Sequence, residues 1–273
     1  MIPNILSVAG SDPGGGAGIQ ADLKTMAALG CYGMAAVTAL TAQNTRGVTA
    51  VHVPPPEFVR AELDAIFADI RVDAVKVGML ATGDIVRAVA RCLAARPHLP
   101  VVLDPVLVAT SGDSLGAPDV VDAMVSHLLP LAAVVTPNLP EAARLAGTAV
   151  PDDEDTMRAA AGALHARGAR AVLVKGGHLA QGDAVDLLSD GGEIRVFRAA
   201  RLATRNTHGT GCTLSTAIAC HLGRGLALAD AVGAAKSYLT VAIAGSGALA
   251  VGTGHGPVHH FHAVWPAGEA EVR

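Results

Sequence analysis

The amino-acid sequence predicts an α/β protein whose central, mostly parallel β-sheet is covered by helices on both faces. Short runs rich in Val, Ile and Ala alternate along the chain with longer segments of helical period. Several of the short runs are apolar on both faces, as buried parallel strands are. Strands that alternate with helices form βαβ units, and such units build a parallel sheet between two helical layers.

Seven short apolar runs are the strand candidates. They span residues 4–9, 34–40, 48–53, 74–77, 101–103, 132–136 and 171–174. Nearer the end, residues 184–188 and 193–197 flank Ser189-Asp190-Gly191-Gly192, which predicts a β-hairpin.

Apolar residues at helical spacing mark the segments between the strands. Three sets show this spacing: Ile19, Leu23, Met26 and Ala27; Val59, Leu63, Ile66, Phe67 and Ile70; and Met157, Ala160, Ala161 and Leu164. Two further helices are predicted over residues 211–222 and 228–244. Because no linker, repeat or low-complexity stretch divides the chain, we expect residues 1–273 to form a single domain.

Composition narrows the classes of protein. Of the 273 residues, 51% are hydrophobic and 16% are charged, which excludes disorder for most of the chain and provides for a sizeable core. The formal net charge of −4 argues against a nucleic-acid binder, which needs a basic face to neutralise phosphates. A small anionic ligand remains compatible with this charge because a few local donors suffice to bind it.

Neither a membrane nor an oxidising compartment is indicated. The four cysteines show no CxxC spacing, and the first ten residues contain no basic stretch followed by an apolar run. Asp230, Lys236 or glycines interrupt the apolar runs before these reach the ~18 residues of a membrane span. We therefore expect a soluble, reduced, cytoplasmic protein without a nucleic-acid or membrane partner.

In an open α/β sheet, ligands bind at the carboxyl ends of the strands, so the residues that follow each strand are the candidates for function. Residues 10–18, here called the glycine loop, read Gly-Ser-Asp-Pro-Gly-Gly-Gly-Ala-Gly. The loop contains no Walker A motif, and Ile19 stands where a dinucleotide fingerprint needs Gly or Ala. The loop is either a flexible turn or a backbone that closes around a ligand.

A second loop gives a stronger signal. His208-Gly209-Thr210-Gly211-Cys212-Thr213, here called the anion loop, directly precedes an apolar helix. Its glycines allow backbone N–H groups to converge, and the helix N-terminus adds partial positive charge, which together favour an anion. In the first turn of a helix the pKa of a thiol is expected to fall, so Cys212 is a candidate general base. The alternative is that Cys212 is a small buried apolar residue.

Eight separated motifs resemble the hydroxymethylpyrimidine/phosphomethylpyrimidine kinases. They are Ala9 to Asp12 with Gly18 to Asp22, Thr41 to Thr45, Lys76 to Leu80, Asp104-Pro105-Val106, Thr136 to Glu141, Lys175 to His178, Thr207 to Ser215, and Gly254 to Val258. The resemblance implies a three-layer ribokinase-like fold, usually in a homodimer. It also implies two ATP-dependent reactions of thiamine biosynthesis: phosphorylation of 4-amino-5-hydroxymethyl-2-methylpyrimidine, then of its monophosphate to the diphosphate.

The resemblance also suggests which residues act on the phosphates. Cys212 stands where most ribokinase-like enzymes carry an aspartate in a GxGD pattern, which supports its role as the base. Gly209, Thr210 and Gly211 are expected to offer N–H groups to the transferring phosphoryl group.

For Mg²⁺ we expect Asp104 and Glu141, with Asn138 nearby, because this ion prefers oxygen ligands and retains several waters. The alternative for both carboxylates is helix capping. Lys175, at the end of its strand, either reaches the ATP phosphates or is a surface cation.

The resemblance assigns the substrate pocket to Gln43, Met79, Asp22 and Gly10. The Gln43 side chain can both donate and accept hydrogen bonds, as the edge of an aminopyrimidine requires. Taken alone, Met79 is more typical of a core residue, and Asp22 of a solvated helix residue.

Two other parts of the chain invite weaker hypotheses. His255, His259, His260 and His262 lack the spacing of a helical zinc pair, so we expect a solvated C-terminal loop there. Residues 266–273 are expected to be poorly ordered. The segment 105–118, which contains Ser111-Gly112-Asp113, is a candidate for a lid over the site.

Three other functions compete with the pyrimidine kinase. A pyridoxal or pyridoxine kinase of the same superfamily is the nearest, because its substrate is also a nitrogen heterocycle with a hydroxymethyl group. Cys212 in place of aspartate favours the pyrimidine enzyme. A non-catalytic pyrimidine-binding sensor on the same fold stays open, and a Rossmann oxidoreductase is disfavoured by the glycine spacing.

Overall fold

A computed structural model describes residues 1–107, 117, 119–177, 179 and 182–265 of the chain. Within these ranges, nine strands form one sheet. The strands are β1 (Asn4–Ser11), β2 (Tyr32–Asn44), β3 (Gly47–His52), β4 (Ala74–Val77), β5 (Val101–Leu103), β6 (Val134–Val135), β7 (Val172–Gly176), β8 (Ala184–Ser189) and β9 (Ile194–Ala199). All seven strand candidates and the predicted hairpin are confirmed, with boundaries shifted by a few residues at most.

The strand order is β3-β2-β1-β4-β5-β6-β7-β8-β9. The strands from β2 to β7 in this order pair in parallel, while β3 at one edge and β8 and β9 at the other are antiparallel. The chain first builds the sheet on one side of β1 and then crosses to the other side with β4. This reversal opens a crevice at the carboxyl ends of β1 and β4, where ligands bind in open α/β sheets.

Eight α-helices lie within the described residues. They are α1 (Gly18–Ala28), α2 (Pro56–Asp69), α3 (Gly83–Ala94), α4 (Val120–Ala123), α5 (Leu139–Ala146), α6 (Glu154–Ala166), α7 (Thr210–Gly223) and α8 (Leu228–Ala244). Helix α4 continues into a π-turn over Met124–Leu128 and a 3₁₀ turn over Leu129–Leu131. The predicted final helices correspond to α7 and α8.

The sheet separates two hydrophobic cores, which makes the fold three-layered. One core contains side chains of α2, α3, α5 and α6, and the other contains those of α1, α7 and α8. Successive residues of a strand point to opposite faces, so Leu6 enters the first core while Ile5 enters the second. Val102 likewise lies in the second core between two residues that face the first. The predicted mostly parallel sheet with helices on both faces is confirmed.

Some predictions fall on residues outside the described ranges. These are most of the candidate lid (108–116 and 118), His178, and the C-terminal residues 266–273. In the part of the chain that is described, no helix has both the length and the apolar character needed to span a bilayer.

Candidate active site

The candidate site residues gather at the carboxyl edge of the sheet. The glycine loop follows β1, Asp104 follows β5, Asn138 follows β6, and Lys175 lies near the end of β7. The anion loop leads into α7, which packs across β1, β4 and β5. The sheet therefore brings together residues from the first and last quarters of the chain.

Asp104, which is buried, and Lys175, which is largely buried, form an ion pair at this edge. Lys175 Nζ lies 2.8 Å from Asp104 Oδ1, and the hydroxyls of Ser215 and Thr136 also donate to this carboxylate. Burial alone would raise the pKa of Asp104, but the positive charges of Lys175 and Lys76 lower it. Burial opposes the charge on Lys175 as well, yet Asp104 and Glu141 raise its pKa. Asp104 is not a helix cap, and Lys175 is not a free surface cation.

Glu141 and Asn138 cap the N-terminus of α5 reciprocally. The Asn138 N–H donates to Glu141 Oε2 at 2.8 Å, and the Glu141 N–H donates to Asn138 Oδ1 at 2.9 Å. The capping alternative is therefore correct for Glu141. Burial raises the pKa of Glu141 to about 7, Asp104 adds to the rise, and Lys175 opposes it. Because Glu141 titrates near neutrality, a cation that binds beside it would lower its pKa, as Lys175 does.

The anion loop turns through Gly209, whose φ of 79° lies in the left-handed region that favours glycine. Thr210 donates its N–H to the Thr207 carbonyl at 3.3 Å, so in this conformation that donor is already engaged. The N–H groups of Gly211 and Cys212 belong to the first turn of α7 and therefore have no intrahelical acceptor. A Cβ placed on Gly211 would lie 3.2 Å from Lys175 Nζ, so this turn faces the Asp104–Lys175 pair. Residues 210–212 remain partly exposed, which leaves the turn open to a ligand.

The expected low pKa of Cys212 is wrong. Burial raises the pKa of the thiol to about 11, and the nearby carboxylates of Asp22 and Asp104 raise it further, against the charge of Lys76. The N–H group of Gly18 also stabilises the thiolate but does not reverse the shift. The sequence displays the helix N-terminus, which lowers the pKa of a thiol. It does not display the two carboxylates that raise this pKa, because they lie close to Cys212 only in the folded chain.

Asp22 lies in a fully buried polar network beneath Cys212. Its carboxylate accepts hydrogen bonds from Lys76 Nζ at 2.9 and 3.0 Å, from Ser7 Oγ at 2.5 Å and from Thr216 Oγ1 at 2.8 Å. The side chains of Asp22 and Lys76 are both 0% exposed. The solvated-helix alternative for Asp22 is therefore wrong. Contact between Asp22 and the substrate stays a prediction, and both Asp22 and Lys76 act electrostatically on the Cys212 thiol.

A small apolar wall stands beside the glycine loop. Met79 packs with Ala39 and Ala81 in a cluster separate from the two main cores. A Cβ on Gly10 would come within 3.0 Å of the Met79 sulfur, so glycine allows this close approach. Gln43 is half-buried on β2, where its side chain contacts Thr41 and His208. Gly10 thus contacts Met79, and Gln43 is linked to the same loop through Thr41, which donates to the Ser11 carbonyl. That these residues line a pocket for a planar ring stays a prediction.

Several polar residues of this region received no role from the sequence. Lys76, Thr136, Ser215 and His208 all belong to the quoted motifs, but only the fold shows what they contact. Asp12 carried a recognisable signal, because an aspartate followed by Pro and Gly commonly bonds to the backbone of its own turn. Its carboxylate indeed accepts N–H groups of Gly14, Gly16 and Ala17.

The predicted solvated histidine loop is also wrong in part. His259 and His260 are buried, at 7% and 4% exposed, while His255 is exposed. His260 Nε2 lies 3.1 Å from Thr213 Oγ1, and burial lowers the pKa of His260 to about 4. Thr213 in turn donates to the Gly209 carbonyl at 2.8 Å. The C-terminal segment therefore packs against the start of α7 and supports the anion loop from behind.

No three His, Cys, Asp or Glu side chains within the described ranges converge as a metal cluster. Mg²⁺ needs only one or two carboxylates together with water and phosphate oxygens. Asp104 and Glu141 supply hard oxygen ligands close to the same lysine, so their chemistry fits this ion. Lys175 competes for the same carboxylates and would have to share them.

Comparison with known proteins gives a consistent family. A family model for phosphomethylpyrimidine kinase matches residues 12–259. A hydroxymethylpyrimidine/phosphomethylpyrimidine kinase of Rhizobium meliloti is 55% identical over 260 residues, which cover 95% of this chain and 97% of that protein.

Two solved structures show the same fold. The pyridoxal kinase of Bacillus subtilis in its ADP complex has a TM-score of 0.88 and 38% identity, over 96% of this chain and 99% of that one. The phosphomethylpyrimidine kinase of Clostridium difficile has a TM-score of 0.78 and 39% identity, over 89% of this chain and 100% of that one.

The buried ion pair beneath Cys212 yields a stability prediction. Lys76→Met removes the ammonium group but leaves the buried Asp22 carboxylate, so we expect the free energy of unfolding to fall by about 3–5 kcal/mol. The matched control is Arg195→Met, which breaks an exposed pair with Glu193 and is expected to change stability by about 1 kcal/mol or less. Urea denaturation of both variants measures the difference, and equal losses would contradict the prediction.

Proposed function

This chain belongs to the phosphomethylpyrimidine kinase family, and from that membership we propose a function in two steps. The protein transfers the terminal phosphoryl group of ATP to 4-amino-5-hydroxymethyl-2-methylpyrimidine and then to the resulting monophosphate. The diphosphate so formed serves thiamine biosynthesis. The observation that carries the proposal is the 55% identity over nearly the full length of both chains, together with an open helix N-terminus that faces Lys175 and Asp104.

The pyrimidine binds between the glycine loop and β2. The apolar side chain of Met79 covers one face of the ring, and Gln43 pairs with the ring edge because its amide offers a donor and an acceptor side by side. Gly10 permits the close approach of the ring to the backbone. Asp22 keeps Lys76 charged below this pocket.

The phosphates of ATP bind at the anion loop. Gly209 sets the turn, and the N–H groups of Gly211 and Cys212 point with the positive end of α7 toward the transferring phosphoryl group. Lys175 adds a full positive charge beside the same turn, where negative charge accumulates during transfer. Thr210 joins these donors if its N–H leaves the Thr207 carbonyl.

Mg²⁺ would be held by Asp104 and Glu141, directly or through water, with Asn138 nearby. When bound, the ion neutralises phosphate charge and orients the phosphates for displacement. The residues of the chain prepare this site in advance, since Lys175 lowers the pKa of Asp104 and opposes the rise in the pKa of Glu141.

Cys212 is the proposed acceptor of the hydroxyl proton. With a pKa of about 11 the thiolate is a minor species at neutral pH. Phosphoryl transfer passes through a loose transition state, in which little negative charge has to develop on the attacking oxygen. The reaction therefore tolerates a small thiolate population, but its rate must depend on that population.

Pyridoxal kinase activity is the second candidate function. It is favoured by the TM-score of 0.88 to the Bacillus subtilis pyridoxal kinase. The higher identity to the pyrimidine kinase of Rhizobium meliloti favours the first candidate.

We further propose a single domain that forms a homodimer in the cytoplasm. One continuous sheet supports the single domain. At the edge of this sheet, Leu40 and Val51 are 48% and 41% exposed on opposite faces of the β2–β3 hairpin. A second subunit would cover such apolar groups, and sedimentation velocity would reveal the dimer.

The substrate assignment predicts a specific set of products. The purified protein is incubated with ATP, Mg²⁺ and, separately, the pyrimidine alcohol, its monophosphate and pyridoxal, and the products are identified by ³¹P NMR. We expect the alcohol to give the monophosphate and then the diphosphate. Good turnover of pyridoxal without turnover of the monophosphate would instead favour the second candidate.

The Cys212 hypothesis predicts a two-stage pH dependence. The hypothesis requires both ionised Glu141 (pKa about 7) and the Cys212 thiolate (pKa about 11). The logarithm of the single-turnover rate, plotted against pH, should then rise with a slope of about two below pH 7 and about one from pH 7 to 9. Cys212→Ser should lower the rate about 100-fold or more, because a serine hydroxyl is ionised far less than a thiol at the same pH. Cys92→Ala, in α3 on the other face of the sheet, is the control that should follow the native profile. A rate independent of pH between 7.5 and 9 would exclude the thiolate as base.

A further inference from the structure

A side-chain hydrogen bond joins the glycine loop to the anion loop. Asp12 and His208 lie 196 residues apart in sequence, yet His208 Nε2 is 2.8 Å from Asp12 Oδ2. We propose that Asp12 and His208 form a positioning pair, which fixes the distance between the bound alcohol on the glycine loop and the phosphoryl group on the anion loop. This inference rests on the proposed kinase function.

Asp12 organises the glycine loop from within. Its Oδ1 accepts the N–H of Gly14 at 2.8 Å, while Oδ2 accepts those of Gly16 at 3.1 Å and Ala17 at 2.9 Å. Burial would raise the pKa of Asp12, but the hydrogen bond and charge of His208 and the backbone N–H groups lower it. The carboxylate is therefore charged at neutral pH, and it holds the loop in one shape.

The two loops approach so closely that only glycine fits at the contact. A Cβ on Gly16 would collide with the imidazole ring of His208, and a Cβ on Gly209 would collide with the Gly16 carbonyl oxygen. The Gly16 backbone thus meets the His208 ring and also the backbone of Gly209, next to the Asp12–His208 bond. A small displacement of either side chain has to move the backbone of a loop that we assign to binding.

The hydrogen bond also defines which nitrogen of His208 carries a proton. A carboxylate only accepts, so Nε2 must be the protonated nitrogen. Gln43 Nε2 lies 3.4 Å from the same nitrogen and therefore cannot donate to it. The contact therefore favours the flipped amide of Gln43, whose oxygen faces His208 and whose nitrogen faces Thr41 Oγ1. Thr41 can accept from that nitrogen because its own hydroxyl proton is donated to the Ser11 carbonyl. His208 thereby also orients the amide that recognises the pyrimidine.

The main-chain contacts of His208 connect the pair to the phosphate site. The backbone N–H of His208 donates to the Gly256 carbonyl at 3.0 Å, and the next residue, Gly209, is the N-cap of α7. A rotation of the His208 side chain away from Asp12 would release the start of α7 from the glycine loop. Transfer is sensitive to the separation of the reacting atoms, so the chemical rate should fall while binding of each substrate alone is largely kept.

Three variants test the pair in the full-length protein. His208→Gln keeps an N–H donor at nearly the position of Nε2, and His208→Met has a similar length without a donor. Asp12→Asn removes the charge while keeping the shape. His98→Gln, an exposed histidine remote from the site, is the matched control.

We expect His208→Met and Asp12→Asn to lower kcat by about 100-fold, with the Kd of the pyrimidine alcohol from calorimetry changed by less than about threefold. His208→Gln should regain most of kcat. A purely structural role would instead lower affinity, melting temperature and kcat together in all three variants, and would refute the inference. Unchanged kcat in His208→Met or Asp12→Asn would refute it as well.

The controls separate this inference from the proposed function. An inactive native protein, assayed with all three acceptors, would count against the kinase itself and remove the premise. If His208→Met does not fold, Asp12→Asn and His208→Gln are compared instead. A lowered kcat with unchanged Kd in Asp12→Asn, but not in His208→Gln, supports the inference, and an unchanged kcat in Asp12→Asn refutes it.

Discussion

Two ion pairs, one fully and the other largely buried, fix helix α7 on the sheet, and the rest of the site depends on them. Asp22 pairs with Lys76, and Asp104 pairs with Lys175. Consecutive residues of α7 bind to the two pairs, because Ser215 donates to Asp104 and Thr216 donates to Asp22. These hydrogen bonds set the rotation of α7 about its axis and hence the direction of its first-turn N–H groups. An apolar interface would leave that rotation less sharply defined, because dispersion contacts are not directional.

The same charges explain why a thiol is compatible with the start of α7. Asp22 and Asp104 both destabilise a further negative charge at Cys212, and they do so through a partly desolvated region. A neutral thiol avoids this repulsion in the resting protein, whereas an aspartate at the same place would add a third carboxylate. Compared with an aspartate, the thiol therefore gives up full ionisation at neutral pH and lowers the charge density beside the proposed phosphate site. This exchange is reasonable only if proton removal from the alcohol is not the main barrier, as a loose transition state allows.

The sequence predicted the elements well and the electrostatics poorly, for a physical reason. Strand and helix signals are local, so β4, β5 and α8 could be delimited to the residue from apolar periodicity. Burial of a charged residue is not local: nothing near Asp22 in the sequence indicates that Lys76 lies against it. The low pKa expected for Cys212 and the solvated loop expected at His259 failed for the same reason, since each depends on groups brought together by the sheet. The family motifs identified the residues of the site without showing which of them contact one another.

The strand order makes the site a property of the completely folded chain. Strand β1 and its glycine loop come first in the sequence, yet β1 lies inside the sheet, and the last long segments of the chain, α7 and α8, cover that region. The two loops constrain each other in the folded chain, because Gly16 packs against His208 and Gly209 packs against Gly16. The start of α7 and the glycine loop are therefore positioned together in the folded chain. Under the proposed function, the phosphate site and the site for the alcohol are thus assembled by the same contacts between the two loops.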